Sequence, residues 1–174
     1  LARELDDAER ERIAPIFDVR SRWMVFADPP HHTKLRILLN RYLTPRAVEQ
    51  YRPMVRKIVN DLLDRLEPAG HMEVVRDFAY LLPMTAILQL LGAPEIDRDC
   101  VKEWSEQLGV FFFIRADEPR RREIACDGLS KLVELLEPVI ERKRREPPGD
   151  DLLSVLLGAE REGTLTPEDV LGRK

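Results

Sequence analysis

The sequence predicts a mainly α-helical domain, and three observations carry that prediction. Apolar residues recur at three- and four-residue steps over most of the chain. Proline and glycine punctuate those stretches where helices would start and stop. Only 8 of the 174 residues are Gly, while 34% are charged and 44% hydrophobic, which is enough apolar material for a core and excludes a disordered chain.

Taken in order, Asp6 to Ile13 reads as a highly charged helical turn or two, ended by Pro15. Ser21 to Ala27 is short and apolar and closes at Asp28-Pro29-Pro30. Aspartate before two prolines is a start signal, because a proline in the first turn lacks an N–H that would have no helical partner there. The helix that follows spans about His31 to Tyr42, with Leu35, Leu38 and Leu39 as its apolar stripe. Thr44 is the N-cap of the next helix and Pro45 its first residue. Its apolar face includes Val55, Ile58, Leu62 and Leu66 and ends at Pro68-Ala69-Gly70, and Pro53 predicts a bend in its first turns.

His71 to Val75 is a candidate short strand. Phe78 to Leu91 is apolar nearly all round, which predicts a buried central helix ended by Gly92. Pro94 to Ile114 carries a helix with Trp104, Leu108, Phe111 and Phe112, followed by a polar break over Arg115 to Pro119. Arg120 to Arg145 is a long amphipathic helix stopped by Pro147-Pro148-Gly149. Asp150-Asp151 caps a short helix from Leu152 to about Arg161. Finally, Thr166-Pro167-Glu168-Asp169 announces a well-capped helix, and about two turns of chain follow it, so the sequence reads as cut rather than finished.

The charge balance of 28 Lys+Arg against 32 Asp+Glu gives a net charge of −4, which argues against a general binder of nucleic acid or of anionic membranes. Two cysteines, Cys100 and Cys126, are too few for a disulfide framework or a cysteine-based zinc site and suit a reducing, cytoplasmic setting. The most apolar stretch, Leu81 to Leu91, is interrupted by Pro83 and Gln89 and is too short to span a bilayer.

The constellation with chemistry is Asp28-Pro29-Pro30-His31-His32-Thr33-Lys34-Leu35-Arg36. His32 and Arg36 are four apart at a helix start, so they share a face and present several N–H donors to a carboxylate or phosphate. The alternative is a solvated polar face. His31, one residue from His32, diverges from it on a helix, so a two-histidine metal site is not expected, and His31 is given no role.

This block, followed by Tyr42-Leu43-Thr44-Pro45-Arg46-Ala47-Val48-Glu49, resembles the helix C region of bacterial cytochrome P450 monooxygenases. Arg22-Trp23-Met24-Val25-Phe26, Phe78-Ala79-Tyr80-Leu81-Leu82-Pro83, Leu90-Leu91-Gly92-Ala93-Pro94 and Asp150-Asp151-Leu152-Leu153-Ser154 resemble the same family, in family order. The resemblance implies that residues 1–174 are one partial domain of that fold, with helices C to H in sequence and Thr166 opening the central helix I. It implies haem (heme) as cofactor, with His32 and Arg36 on a propionate, a small organic substrate, and oxygen insertion fed by a ferredoxin-type redox partner.

The family's iron ligand lies in a Phe-x-x-Gly-x-x-x-Cys-x-Gly loop that this chain does not contain, and Cys100 and Cys126 are not candidates for it. The Ala-Gly-x-x-Thr turn of helix I would lie beyond Lys174. By this reading the 174 residues alone carry no catalytic residue and no metal ligand. Phe111-Phe112-Phe113 fall where the family folds a flap over its substrate channel, and three consecutive rings cannot all face one core. Lys34, Arg41, Arg46, Arg52, Arg56 and Lys57 give the early helices a basic bias suited to an acidic redox partner, or equally to a salt-bridged surface. The rival expectation is an inactive helical fragment that folds through homo-oligomerisation or domain swapping.

Overall fold

The computed structural model describes residues 7–113 and 119–171. Nine α-helices are assigned among them: α1 Asp7–Arg22, α2 His31–Tyr42, α3 Pro45–Gln50, α4 Arg52–Leu66, α5 Leu81–Leu91, α6 Arg98–Phe113, α7 Pro119–Arg145, α8 Leu152–Arg161 and α9 Pro167–Leu171. A 3-10 turn covers Glu67–Ala69 and a π-helical turn Val75–Ala79. There is no strand among the described residues.

Local side-chain chemistry sets three of the helix starts. The Ala47 N–H donates to Thr44 Oγ1 at 3.1 Å, and the Ser154 N–H donates to Asp151 Oδ1 at 2.9 Å, so α3 and α8 begin at side-chain caps. At α9 the cap is reciprocal: Asp169 N–H donates to Thr166 Oγ1 (3.3 Å) and Thr166 N–H to Asp169 Oδ2 (2.9 Å). Gly92, with φ 76°, ends α5 in the left-handed region, and a Cβ there would lie 2.4 Å from Asp151 Cγ. The bend expected at Pro53 is a full break, with α3 ending at Gln50 and α4 starting at Arg52.

Several expectations are corrected. α1 does not stop before Pro15 but continues to Arg22, because Val19 is buried against α7 and that contact outweighs the one hydrogen bond a mid-helix proline removes. α2 spans His31–Tyr42 as expected, with both prolines just before it, but the Asp28 carbonyl, not its carboxylate, receives the His32 N–H at 3.1 Å. His71–Val75 is not a strand. Glu73 accepts the backbone N–H groups of Val75 and Arg76 at 3.1 and 2.6 Å, while Asp77 accepts that of Glu73 at 2.9 Å, which rolls the segment into a turn. The Arg76 guanidinium and that backbone bond hold the Asp77 carboxyl down at about 2. α5 is not buried all round either: Leu88 is buried, whereas Ile87 is 53% exposed.

Two apolar clusters form the interior. One joins Val19 of α1, Leu108 of α6 and Ala125, Leu129 and Val133 of α7. The other joins Leu88 of α5, Ala93, Ile96, Val139 and Ile140 of α7, and Leu153 and Leu157 of α8. α7 runs through both, with Pro138 inside it between Val133 and Val139. α9 seats Val170 and Leu171 on these clusters.

Candidate functional site

The site is built on α2. Its apolar residues Leu35, Leu38 and Leu39 are half-buried, and none of its described residues is fully buried, so packing alone fixes this helix weakly. Polar contacts hold both its ends. At the C-terminal end the Tyr42 hydroxyl donates to the Asp150 carbonyl at the start of α8. Burial, then the neighbouring Tyr51 hydroxyl and the charges of Asp151 and Asp150, push the Tyr42 phenol above its usual range, so it stays a donor.

At the N-terminal end, Arg22, His31 and Asp169 meet. Arg22 Nη1 donates to Asp169 Oδ1 at 3.0 Å, and His31 Nε2 lies 3.2 Å from the Arg22 carbonyl and 4.0 Å from Asp169 Oδ1. A carbonyl oxygen only accepts, so His31 Nε2 carries the proton. Burial raises the Asp169 carboxyl, but the Thr166 backbone and hydroxyl, His31 and Arg22 outweigh it and leave the group below its ordinary value. His31, given no role from the sequence, thus joins α2 to α1 and α9. Arg22 lies nine residues before it, outside helical spacing, and Asp169 is at the far end of the chain, which is why no local signal marked it.

His32 and Arg36 stand one turn apart on α2. The imidazole is half-buried and the guanidinium exposed, and no acidic side chain among the described residues pairs with either. Other arginines here are engaged: Arg52 with Glu49, Arg76 with Asp77, Arg142 with Glu95, and Arg144 with Glu141 and Glu160. A free guanidinium beside a histidine at a helix start is a donor set for a carboxylate, and it fits a haem propionate.

The other expected residues contribute less. α6 extends through Phe113, but the side chains of Phe111, Phe112 and Phe113 lie outside the described residues, as does the break that follows. The basic bias of the early helices is partly neutralised, since Arg52 and Lys57 are paired with Glu49 and Asp61. Lys34, Arg46 and Arg56 are exposed, with no ion pair to an acid among the described residues, and Arg56 borders a groove of about 530 Å³ with Arg52, Lys57 and Asn60. Cys126 packs against the first cluster, and burial followed by Asp97, Glu103 and Asp99 pushes the Cys100 thiol up. The raised Cys100 thiol is disfavoured as a thiolate. No group of three or more metal-ligating side chains occurs among the described residues, and no helix there is long and apolar enough to cross a membrane.

No protein-family model matches the chain. A cytochrome P450 of Priestia megaterium is 34% identical over 149 residues, 85% of this chain and 35% of that protein. A cytochrome P450 of Bacillus subtilis is 38% identical over 144 residues, 83% of this chain and 34% of that protein. Among solved structures, P450BioI in complex with an acyl carrier protein ligated to hexadec-9Z-enoic acid matches with a TM-score of 0.81 at 28% identity. That match covers 97% of this chain and 43% of the other. The chain spans about a third of the length of these curated relatives.

Proposed function

Because the chain belongs to the bacterial cytochrome P450 family and spans part of its fold, we propose that it serves in a haem-dependent monooxygenase, where His32 and Arg36 hold a haem propionate. The enzyme inserts one oxygen atom from dioxygen into a small organic substrate. The observation that carries the site assignment is the pair of donors on one face of α2 with no acidic partner among the described residues. Bound haem would supply the activation of dioxygen, with His32 and Arg36 as the residues of this chain that would hold it. The part played by this chain is binding and orientation. Arg36 gives the propionate a charge-assisted bond, and His32, closer to the protein interior, gives a second donor that fixes its direction.

The exposed Lys34, Arg46 and Arg56 support docking of an acidic ferredoxin-type electron donor by electrostatic steering, in a cytoplasmic setting. The exposed Ile87 of α5 supports a second reading for the isolated 174 residues: self-association without catalysis. Gel filtration of the isolated chain checks this, and a monomer of native helicity overturns it.

The test of the main reading is Arg36→Ala in the haem-loaded protein, followed by transfer of haem to excess apomyoglobin. Loss of one charge-assisted bond speeds haem release by about tenfold. An unchanged release rate refutes the assignment.

A further inference from the structure

We propose that Asp169 is a positioning residue for the α2 anion seat: through Arg22 and His31 it fixes the first turn of α2, and with it the placement of His32 and Arg36. The proposal rests on the reading of those two residues as haem-propionate donors. α2 has no fully buried residue among those described, so its placement depends on the tethers at its ends. The tether at Tyr42 fixes the end remote from the seat. At the seat itself two fixed bodies are within reach: α1, held by Val19 in the first cluster, and α9, pinned by Val170 and Leu171 on the apolar clusters.

Asp169 is the side chain that faces α2 from α9, and it is only 11% exposed. Its two oxygens divide the work. Oδ2 closes the reciprocal cap with the Thr166 N–H, and Oδ1 receives Arg22 Nη1 at 3.0 Å with His31 Nε2 at 4.0 Å. His31 in turn donates to the Arg22 carbonyl at the end of α1, so three helices meet at one carboxylate. Consecutive helix residues point about 100° apart. Turning His31 inward onto this cluster therefore sets the direction in which His32, the next residue, must point.

Two substitutions separate the cap from the tether. Asp169→Asn keeps an oxygen for the cap and removes the charge, while Arg22→Met removes the donor and leaves the cap untouched. Amide hydrogen exchange over residues 31–36 of the haem-free chain reads the helix directly, and haem release to apomyoglobin reads the seat. Loss of a charged hydrogen bond predicts roughly tenfold faster exchange at residues 31–36 in either variant, with Asp169→Glu closer to the parent. The double variant is no worse than either single one, because both remove the same contact. In the haem-loaded protein the variants release haem several-fold faster, with a smaller effect than Arg36→Ala.

Unchanged exchange over 31–36 in both single variants overturns the proposal, as does strict additivity in the double variant. Faster exchange with parental haem release in these variants overturns the link to the seat. Parental haem release in Arg36→Ala itself, alongside faster exchange in Asp169→Asn, refutes the propionate reading while leaving the control of α2 by Asp169 intact.

Discussion

Asp151 offers the sharpest test of how the C-terminal helices are held. Its carboxylate accepts the Ser154 N–H at 2.9 Å, the Ser154 hydroxyl at 3.0 Å and Lys143 Nζ at 2.6 Å, and both charged side chains are only 14% exposed. Loss of an N-cap costs about 1 kcal/mol. Loss of a charge-assisted bond that leaves a half-desolvated ammonium costs about 1.5–3 kcal/mol. Since one carboxylate serves all three partners these do not add fully, and Asp151→Ala is expected to lose about 3 kcal/mol. Asp151→Asn keeps the cap and loses roughly half of that, the part due to the charge.

The pH dependence follows from the same contacts. Burial opposes ionisation, but Lys143, the Ser154 backbone and the Ser154 hydroxyl outweigh it, so the folded-state value lies below the usual 3.8. A depressed carboxylate stabilises fully above its unfolded value and loses that contribution as pH falls through its folded value. Urea unfolding of the parent and Asp151→Asn should therefore show a gap at about pH 7 that narrows below 3.8. Equal stability at neutral pH, or a gap that stays constant into acid, would refute the reasoning.

Two further substitutions test the packing. Leu157 is 1% exposed at the centre of the second cluster, and Leu157→Ala should cost about 2–5 kcal/mol in urea or thermal unfolding. Gly92→Ala and Gly163→Ala impose similar backbone strain, at φ 76° and 72°, but an added Cβ meets Asp151 at the first site and nothing within 4 Å at the second. Thermal scans should show about 1 kcal/mol lost at Gly163 and clearly more at Gly92. Equal losses would mean that Asp151 swings aside without cost.

What the sequence announces, and what it hides, divides along the range of the interaction responsible. The caps at Thr44, Asp151 and Thr166 are contacts over three residues, so residue type and spacing suffice to find them. The pairing of His32 with Arg36 on one face follows in the same way from helical geometry. The passage of α1 beyond Pro15 depends on Val19 meeting α7, more than a hundred residues away, and no local pattern encodes that. Position 31 fails for the same reason, since Arg22 and Asp169, which meet beside it, are separated by 147 residues. The segment 71–75 misled differently. Its paired valines favour an extended chain, yet the Glu73 and Asp77 carboxylates satisfy nearby N–H groups locally, and that local bonding prevails.

The course of α7 through both apolar clusters bears on how the chain comes apart. Val133 belongs to one cluster, Val139 and Ile140 to the other, and Pro138 between them has no N–H to give its own helix. The continuity of α7 is therefore weakest at the border of two separately packed regions. Opening can start at that border and leave one region folded while the other loosens, so hydrogen exchange along α7 should fall into two cooperative blocks rather than one. Because α9 rests on both regions, loss of either one loosens the footing of Asp169 on α2.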